Sequence, residues 1–147
     1  AEELVAVFPE GYKGLGKPFK DRYRLARFGR GGFARMALGT QAPIIPVSVV
    51  GAEETNPALF KLPIGDAGSA IPYVPVTITF PWLGLLGFLP LPTKWYIDFG
   101  TPIPVDGYGQ QAAENLILVS QLTDHVRNTV QEMLYARLAQ RRSIFFG

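Results

Sequence analysis

Cysteine is absent, and histidine occurs once, at position 125. The first absence excludes a disulfide scaffold, a thiol nucleophile and a cysteine-ligated metal. The second excludes a metal centre built from several histidines of these residues. No apolar run reaches the roughly 20 residues that a membrane-spanning helix needs. Internal repeats, low-complexity tracts and an interdomain linker are also missing. Charged residues are sparse, 18% against 48% apolar, a balance that provides a packed core and argues against wholesale disorder. At 147 residues the chain has the size of one ordinary domain.

The net charge of +2 conceals an asymmetry. Residues 13–35 hold eight cations against Asp21 alone, a local charge of +7, so the rest of the chain sums to −5. A surface serving only solubility interleaves its signs. Concentrating them in one segment points to an anionic ligand, above all phosphate.

Leu4-Val5-Ala6-Val7-Phe8 is apolar at every position, the pattern of a strand covered on both faces in a parallel sheet. It ends at Pro9-Glu10-Gly11, and residues 9–28, with several glycines and Pro18, read as a long functional loop. Gly29 to Gly39 reads as a short helix and Ile44 to Val50 as a second strand, so the three pieces predict a right-handed βαβ crossover with parallel pairing. Gly51 to Ser69 reads as polar and irregular, with a turn at Asn56-Pro57. Strands are expected over Tyr73 to Phe80 and Lys94 to Gly100. From Gln110 to Arg142 the pattern is helical, with Leu116, Val119, Leu122, Val126, Val130, Met133 and Leu138 on or near one stripe. One long helix and two helices broken near Ser120 both fit. The fold class expected is α/β: a mostly parallel central sheet followed by a long C-terminal amphipathic helix.

Several residues invite a chemical reading. Glu10 stands where a strand is expected to end, the place where open α/β folds bind ligands; the alternative is a carboxylate bonding local amides. Arg22, Arg24, Arg27 and Arg30, with Lys13, form a candidate phosphate-binding set, against the plainer reading of a solvated basic face. Nucleic acid is the weaker partner, because no reader fold or aromatic platform accompanies the charge. Gly29, Gly31 and Gly32 resemble a phosphate-cradling loop at a helix start, or equally a turn needing positive φ. His125 reads as an ordinary helix residue. Pro81 to Pro92 carries no charge; its Trp82, Leu85, Leu86, Phe88 and Leu89 read either as a membrane-contacting loop or as core.

Three stretches together resemble the lysophospholipid/glycerol-3-phosphate acyltransferase superfamily. Val7-Phe8-Pro9-Glu10-Gly11 is similar to that family's Phe-Pro-Glu-Gly-Thr-Arg block. Phe28-Gly29-Arg30-Gly31-Gly32-Phe33 is similar to the segment that follows it, and Pro43-Ile44-Ile45-Pro46-Val47-Ser48-Val49 to the next apolar block. The likeness covers residues 4–51, and the remaining two-thirds adds only compatibility.

The resemblance implies transfer of a fatty acyl group from acyl-CoA or acyl carrier protein, as co-substrate, to a lipid hydroxyl in phospholipid metabolism. It implies no other cofactor and a peripheral position on the cytoplasmic side of the cell membrane, against an anionic surface. It assigns Glu10 and Gly11 to the acceptor site, with Lys13 and Arg30 near the phosphate. Tyr12-Lys13 departs from Thr-Arg, which leaves room for another lipid or glycolipid alcohol. The family's His-x-x-x-x-Asp block has no counterpart here, since Val130 stands where His125 would need Asp. An alcohol needs a base to take its proton. Residues 1–147 are therefore expected to be the C-terminal portion of an acyltransferase domain, an acceptor-binding half with the catalytic histidine in a missing N-terminal portion, and inactive alone. The alternative is a non-catalytic module of the same fold that binds anionic lipid or serves as a scaffold.

Overall fold

The computed structural model describes residues 3–11, 14, 17–63 and 73–146. Along the chain these form helix α1 (Gly32–Thr40), strand β1 (Val47–Val50), the one-turn helix α2 (Ala52–Thr55), strands β2 (Ala58–Pro63), β3 (Tyr73–Thr77) and β4 (Tyr96–Phe99), and helix α3 (Leu116–Gln140). Short 3-10 turns lie at Phe19–Asp21, Gly84–Phe88, Asp106–Tyr108 and Gln110–Glu114. The architecture is a mixture of helix and small antiparallel sheets closed by a long C-terminal helix.

Helix α3 runs unbroken through Ser120 for 25 residues. Its start is set by Asn115, whose Oδ1 accepts the amides of Ile117 at 3.1 Å and Leu118 at 3.2 Å, a side-chain cap for otherwise orphaned donors. Val119, Leu122, Thr123, Val126, Val130 and Leu134 form its buried stripe. Leu116, expected on that stripe, is exposed, because it lies in the first turn beyond the reach of α1. The main core joins this stripe to Phe28, Ala34, Leu38, Val105 and Ala112. No helix among the described residues is long and apolar enough to cross a membrane.

The sheet departs from expectation. β1 pairs with β4 antiparallel, Val47 opposite Phe99 and Val49 opposite Ile97. β2 and β3 form a separate antiparallel pair. No parallel pairing occurs among the described residues, so the expected βαβ crossover and parallel central sheet are not formed by them. The reason is local: residues 4–8 join no strand, and Leu4 and Phe8 are 94% and 85% exposed. An apolar run becomes an inner strand only where a neighbour satisfies its backbone groups, and β1 takes its partner from β4. Residues 51–63 also correct the irregular reading, forming α2 and β2; Ala58-Leu59-Phe60 carries the strand-forming pattern that the flanking polar residues mask. The strand expected over Tyr73 to Phe80 stops at Thr77, where Thr77 Oγ1 accepts the amides of Thr79 and Phe80 at 3.3 and 2.9 Å and turns the chain.

Candidate functional site

The basic segment is not a loose loop. Residues 22–28 lie as a strap across α3, held by two side chains one helical turn apart. Gln131 Nε2 donates to the Tyr23 carbonyl at 2.7 Å, while the Leu25 amide donates to Gln131 Oε1 at 2.8 Å. Arg127 donates through Nε to the Ala26 carbonyl at 3.0 Å and through Nη2 to the Leu25 carbonyl at 2.6 Å. Phe28 then anchors the end of the strap in the core, edge-on to Phe33. With the backbone pinned inward, Arg24, Arg27 and Arg30 point to solvent. None of the three makes an ion pair or hydrogen bond through its side chain among the described residues.

The near end of the strap is fixed by carboxylates. Glu10 accepts the amide of Ala26 and pairs with Lys17 at 2.9 Å. Glu53, on α2, accepts the amide of Tyr23 and reaches the same Lys17 at 3.4 Å. Lys17 is thus a largely buried cation between two acids, its side chain 11% exposed. Burial pushes the Glu53 carboxyl up from its ordinary range, Lys17 opposes that, and the nearby Glu10 charge adds to it. Gly11 takes the turn at φ +57°, and a Cβ on Gly14 would lie 2.7 Å from Glu10 Oε2. Glu10 turns toward Lys17 and Ala26 and makes no ion pair with Arg30 among the described residues, although the Gly29 amide meets the Pro9 carbonyl at 3.2 Å. Lys13 lies outside the described residues.

Gly31 serves as a turn that lets α1 approach α3. Its φ is +72°, and a Cβ there would fall 2.7 Å from Thr123 Oγ1 and 2.7 Å from Val119 Cγ1. That close approach gives Gly31 a structural reason, whereas a Cβ on Gly29 or Gly32 would meet nothing closer than 4.0 Å.

Arg22 sits elsewhere, stacked over the Phe19 ring at 4.3 Å. It lines a cavity of about 190 Å³ together with Tyr23, Glu54, Arg141 and Arg142. Beside that cavity Arg141 and Glu54 form an ion pair at 2.7 Å, with side chains only 4% and 3% exposed. Arg141 also donates to Tyr23 Oη at 3.0 Å and to the Ile144 carbonyl at 2.9 Å. Glu54 Oε1 is therefore satisfied, while its buried Oε2 has no partner among the described residues. With that pair neutral internally, Arg22 and Arg142 leave the cavity cationic. Sequence reasoning named Arg22 but missed Arg127, Gln131, Arg141 and Glu54. For Arg127, Gln131 and Arg141 the available signal was a polar position in or at the end of the α3 pattern, while Glu54 on α2 offered none.

His125 is exposed on α3, beside a groove of about 460 Å³ formed with residues 100–104, Thr129 and Met133. No acid stands within that lining to orient it.

The uncharged segment is a folded protrusion. Thr79 Oγ1 donates to the Gly87 carbonyl at 2.8 Å, and the Leu83 amide donates to the Thr79 carbonyl at 2.9 Å. At its surface Trp82 is 78% and Leu85 86% exposed, with Leu86 and Leu89 also open to solvent. The Phe88 side chain lies outside the described set.

No family model and no solved structure matches the chain. It is similar to an uncharacterized protein of Mycobacterium tuberculosis, 53% identical over 145 residues, and to one of Mycobacterium leprae, 54% identical over 147 residues. Those alignments take in 99% and 100% of this chain and 40% of each relative. The chain thus spans two-fifths of the length of the curated relatives it matches.

Proposed function

We propose that this chain binds a phosphate-bearing lipid and is the acceptor-binding portion of an enzyme that moves a fatty acyl group from acyl-CoA or acyl carrier protein to a lipid hydroxyl. The observation that carries the reading is the strap over residues 22–28. Its backbone is locked to α3, and the guanidiniums of Arg24, Arg27 and the adjoining Arg30 stand outward with no ion pair or hydrogen bond among the described residues. The held backbone spares phosphate binding the cost of ordering the segment, and the arginine side chains remain free to meet phosphate oxygens. Arg22 and Arg142 add a cationic cavity. Exposed Trp82 and Leu85 supply the apolar contact of a peripheral protein with a bilayer. The resemblance across residues 4–51 supplies the acyl-transfer chemistry. The general base and the strands of a parallel central sheet come, in this reading, from the rest of a longer polypeptide. Its place is the cytoplasmic face of the membrane.

The test is acyl transfer by the full-length polypeptide, with labelled acyl-CoA and a panel of lysophospholipid and glycerol phosphate acceptors. Transfer that collapses on Arg24→Ala/Arg27→Ala through a raised acceptor KM supports the reading. No transfer to any acceptor, from either donor, overturns it.

A second reading, an anionic-lipid-binding module without catalysis, is favoured by one specific feature. Both Glu10 oxygens are already engaged, by Lys17 and the Ala26 amide. Vesicle binding without any acyl transfer is its signature.

A further inference from the structure

The β1–β4 sheet is apolar on its open side as well as in part of its covered side. Ser48 and Asp98, opposite each other in register, lie on the side that meets α3. Ser48 is 1% exposed and Asp98 is paired with Arg137 of that helix. The other side is wholly apolar. Val47 faces Phe99 and Val49 faces Ile97 across the strands, and these four are 38%, 73%, 40% and 55% exposed. Ile45, two residues before β1 in the same alternation, is 46% exposed. A two-stranded sheet alternates so that its apolar side is the covered one. Here the covered side holds buried Val50 and its partner Tyr96 beside the polar pair, and the open side holds a second, purely apolar set that nothing in this chain covers among the described residues.

We infer that this outer face is an intramolecular docking surface, covered by an apolar helical layer from the part of the longer polypeptide that lies outside this chain. The occupant follows from length and identity together. The relatives match nearly every residue of this chain at 53–54% identity, yet it makes up only 40% of each. They therefore hold ample further polypeptide to supply a layer. Among the described residues each strand also has only one ladder neighbour, so within them the sheet has free edges as well as a free face. Covering these four partly exposed side chains removes further apolar surface from water, which favours a docked layer. The inference stands on exposure, register and length alone and does not depend on acyl transfer.

The experiment uses the full-length polypeptide carrying single substitutions Val49→Cys or Ile97→Cys, at positions where this chain offers no competing cysteine. Maleimide labelling is read by peptide mass spectrometry, with the same site in denaturant as reference. The expected result is labelling slowed about 100-fold or more in the dilute monomer, because access then requires local opening. Labelling of the monomer at the denatured rate overturns the inference. Protection that arises only as the protein dimerises makes the occupant a second copy and also overturns it. Protection that arises only on adding phosphatidylglycerol vesicles assigns the face to lipid, with the same consequence.

Discussion

Arg127 donates its Nε–H to the carbonyl of Ala26 at 3.0 Å, across 101 positions of sequence. That bond, with the paired bonds of Gln131 to Tyr23 and Leu25, turns a basic segment into a fixed backbone that displays arginines to solvent.

If Gln131 sets the strap, Gln131→Ala should leave α3 intact and loosen the strap. Loss of its acceptor for the Leu25 amide removes a hydrogen bond worth about 1 kcal/mol, or roughly fivefold in local opening. Amide exchange at Leu25 should accelerate by that factor, with exchange in the middle of α3 unchanged. Unchanged exchange at Leu25 contradicts the pinning role.

Arg24→Ala/Arg27→Ala should weaken binding to vesicles containing phosphatidylglycerol. Each cation near an anionic surface contributes about 1 kcal/mol, so the pair is worth roughly 30-fold in affinity. The unsubstituted protein should also lose affinity as salt rises and the Debye length shrinks. Cosedimentation that ignores both salt and the substitutions refutes an electrostatic contact.

Glu10→Gln removes a negative charge that helps hold the Glu53 carboxyl above its ordinary range. The Glu53 pKa should therefore fall in this variant, as followed by carbon-detected NMR titration. A rise or no change shows that the two carboxylates do not share the Lys17 site in solution. In the full-length polypeptide the same variant should lower acyl transfer beyond its loss of stability, if Glu10 takes part in acceptor binding.

Arg141→Met strands Glu54 as a buried, unpaired carboxylate, which costs about 3–5 kcal/mol. For a domain of this size that corresponds to a fall in Tm of roughly 10 °C. Adding Glu54→Leu should recover most of the loss, since an apolar pair of similar volume needs no desolvated charge. A single variant as stable as the parent removes the pair from the list of structural determinants.

The bidentate hydrogen bond from Arg137 is the main reason that the Asp98 carboxyl is held below its ordinary range. A folded pKa lower than the unfolded value of about 3.9 means the contribution is complete above that value. It is lost as pH falls through the lowered folded pKa. Urea unfolding between neutral and strongly acid pH should show a decline that Asp98→Asn makes shallower. Equal acid dependence in the two proteins rejects the linkage.

The site was partly legible from residue order. Eight cations within residues 13–35 marked a basic surface before any fold was known, and the outward stance of Arg24, Arg27 and Arg30 agrees with a solvated array. Which acid meets which base was not legible. Glu10 has several cations within a dozen or so residues, and the choice of Lys17 depends on how residues 9–28 turn back upon themselves.

Periodicity alone was enough for the helical character of the C-terminal segment, though not for its start at Leu116 or its continuity through Ser120. It was also enough for the short helix near Gly32 and the strands near Tyr73 and Tyr96, because their patterns repeat over neighbouring residues. Strand pairing needs partners far apart in the chain, and composition carries no record of them. Leu4 to Phe8 has the hydrocarbon of an inner strand yet stays exposed, since burial is a property of what lies alongside and not of the segment. The antiparallel match of Val47 with Phe99, the buried Arg141–Glu54 pair and the clasp of Arg127 and Gln131 were likewise decided only in three dimensions, where side chains distant in sequence meet within a few ångströms.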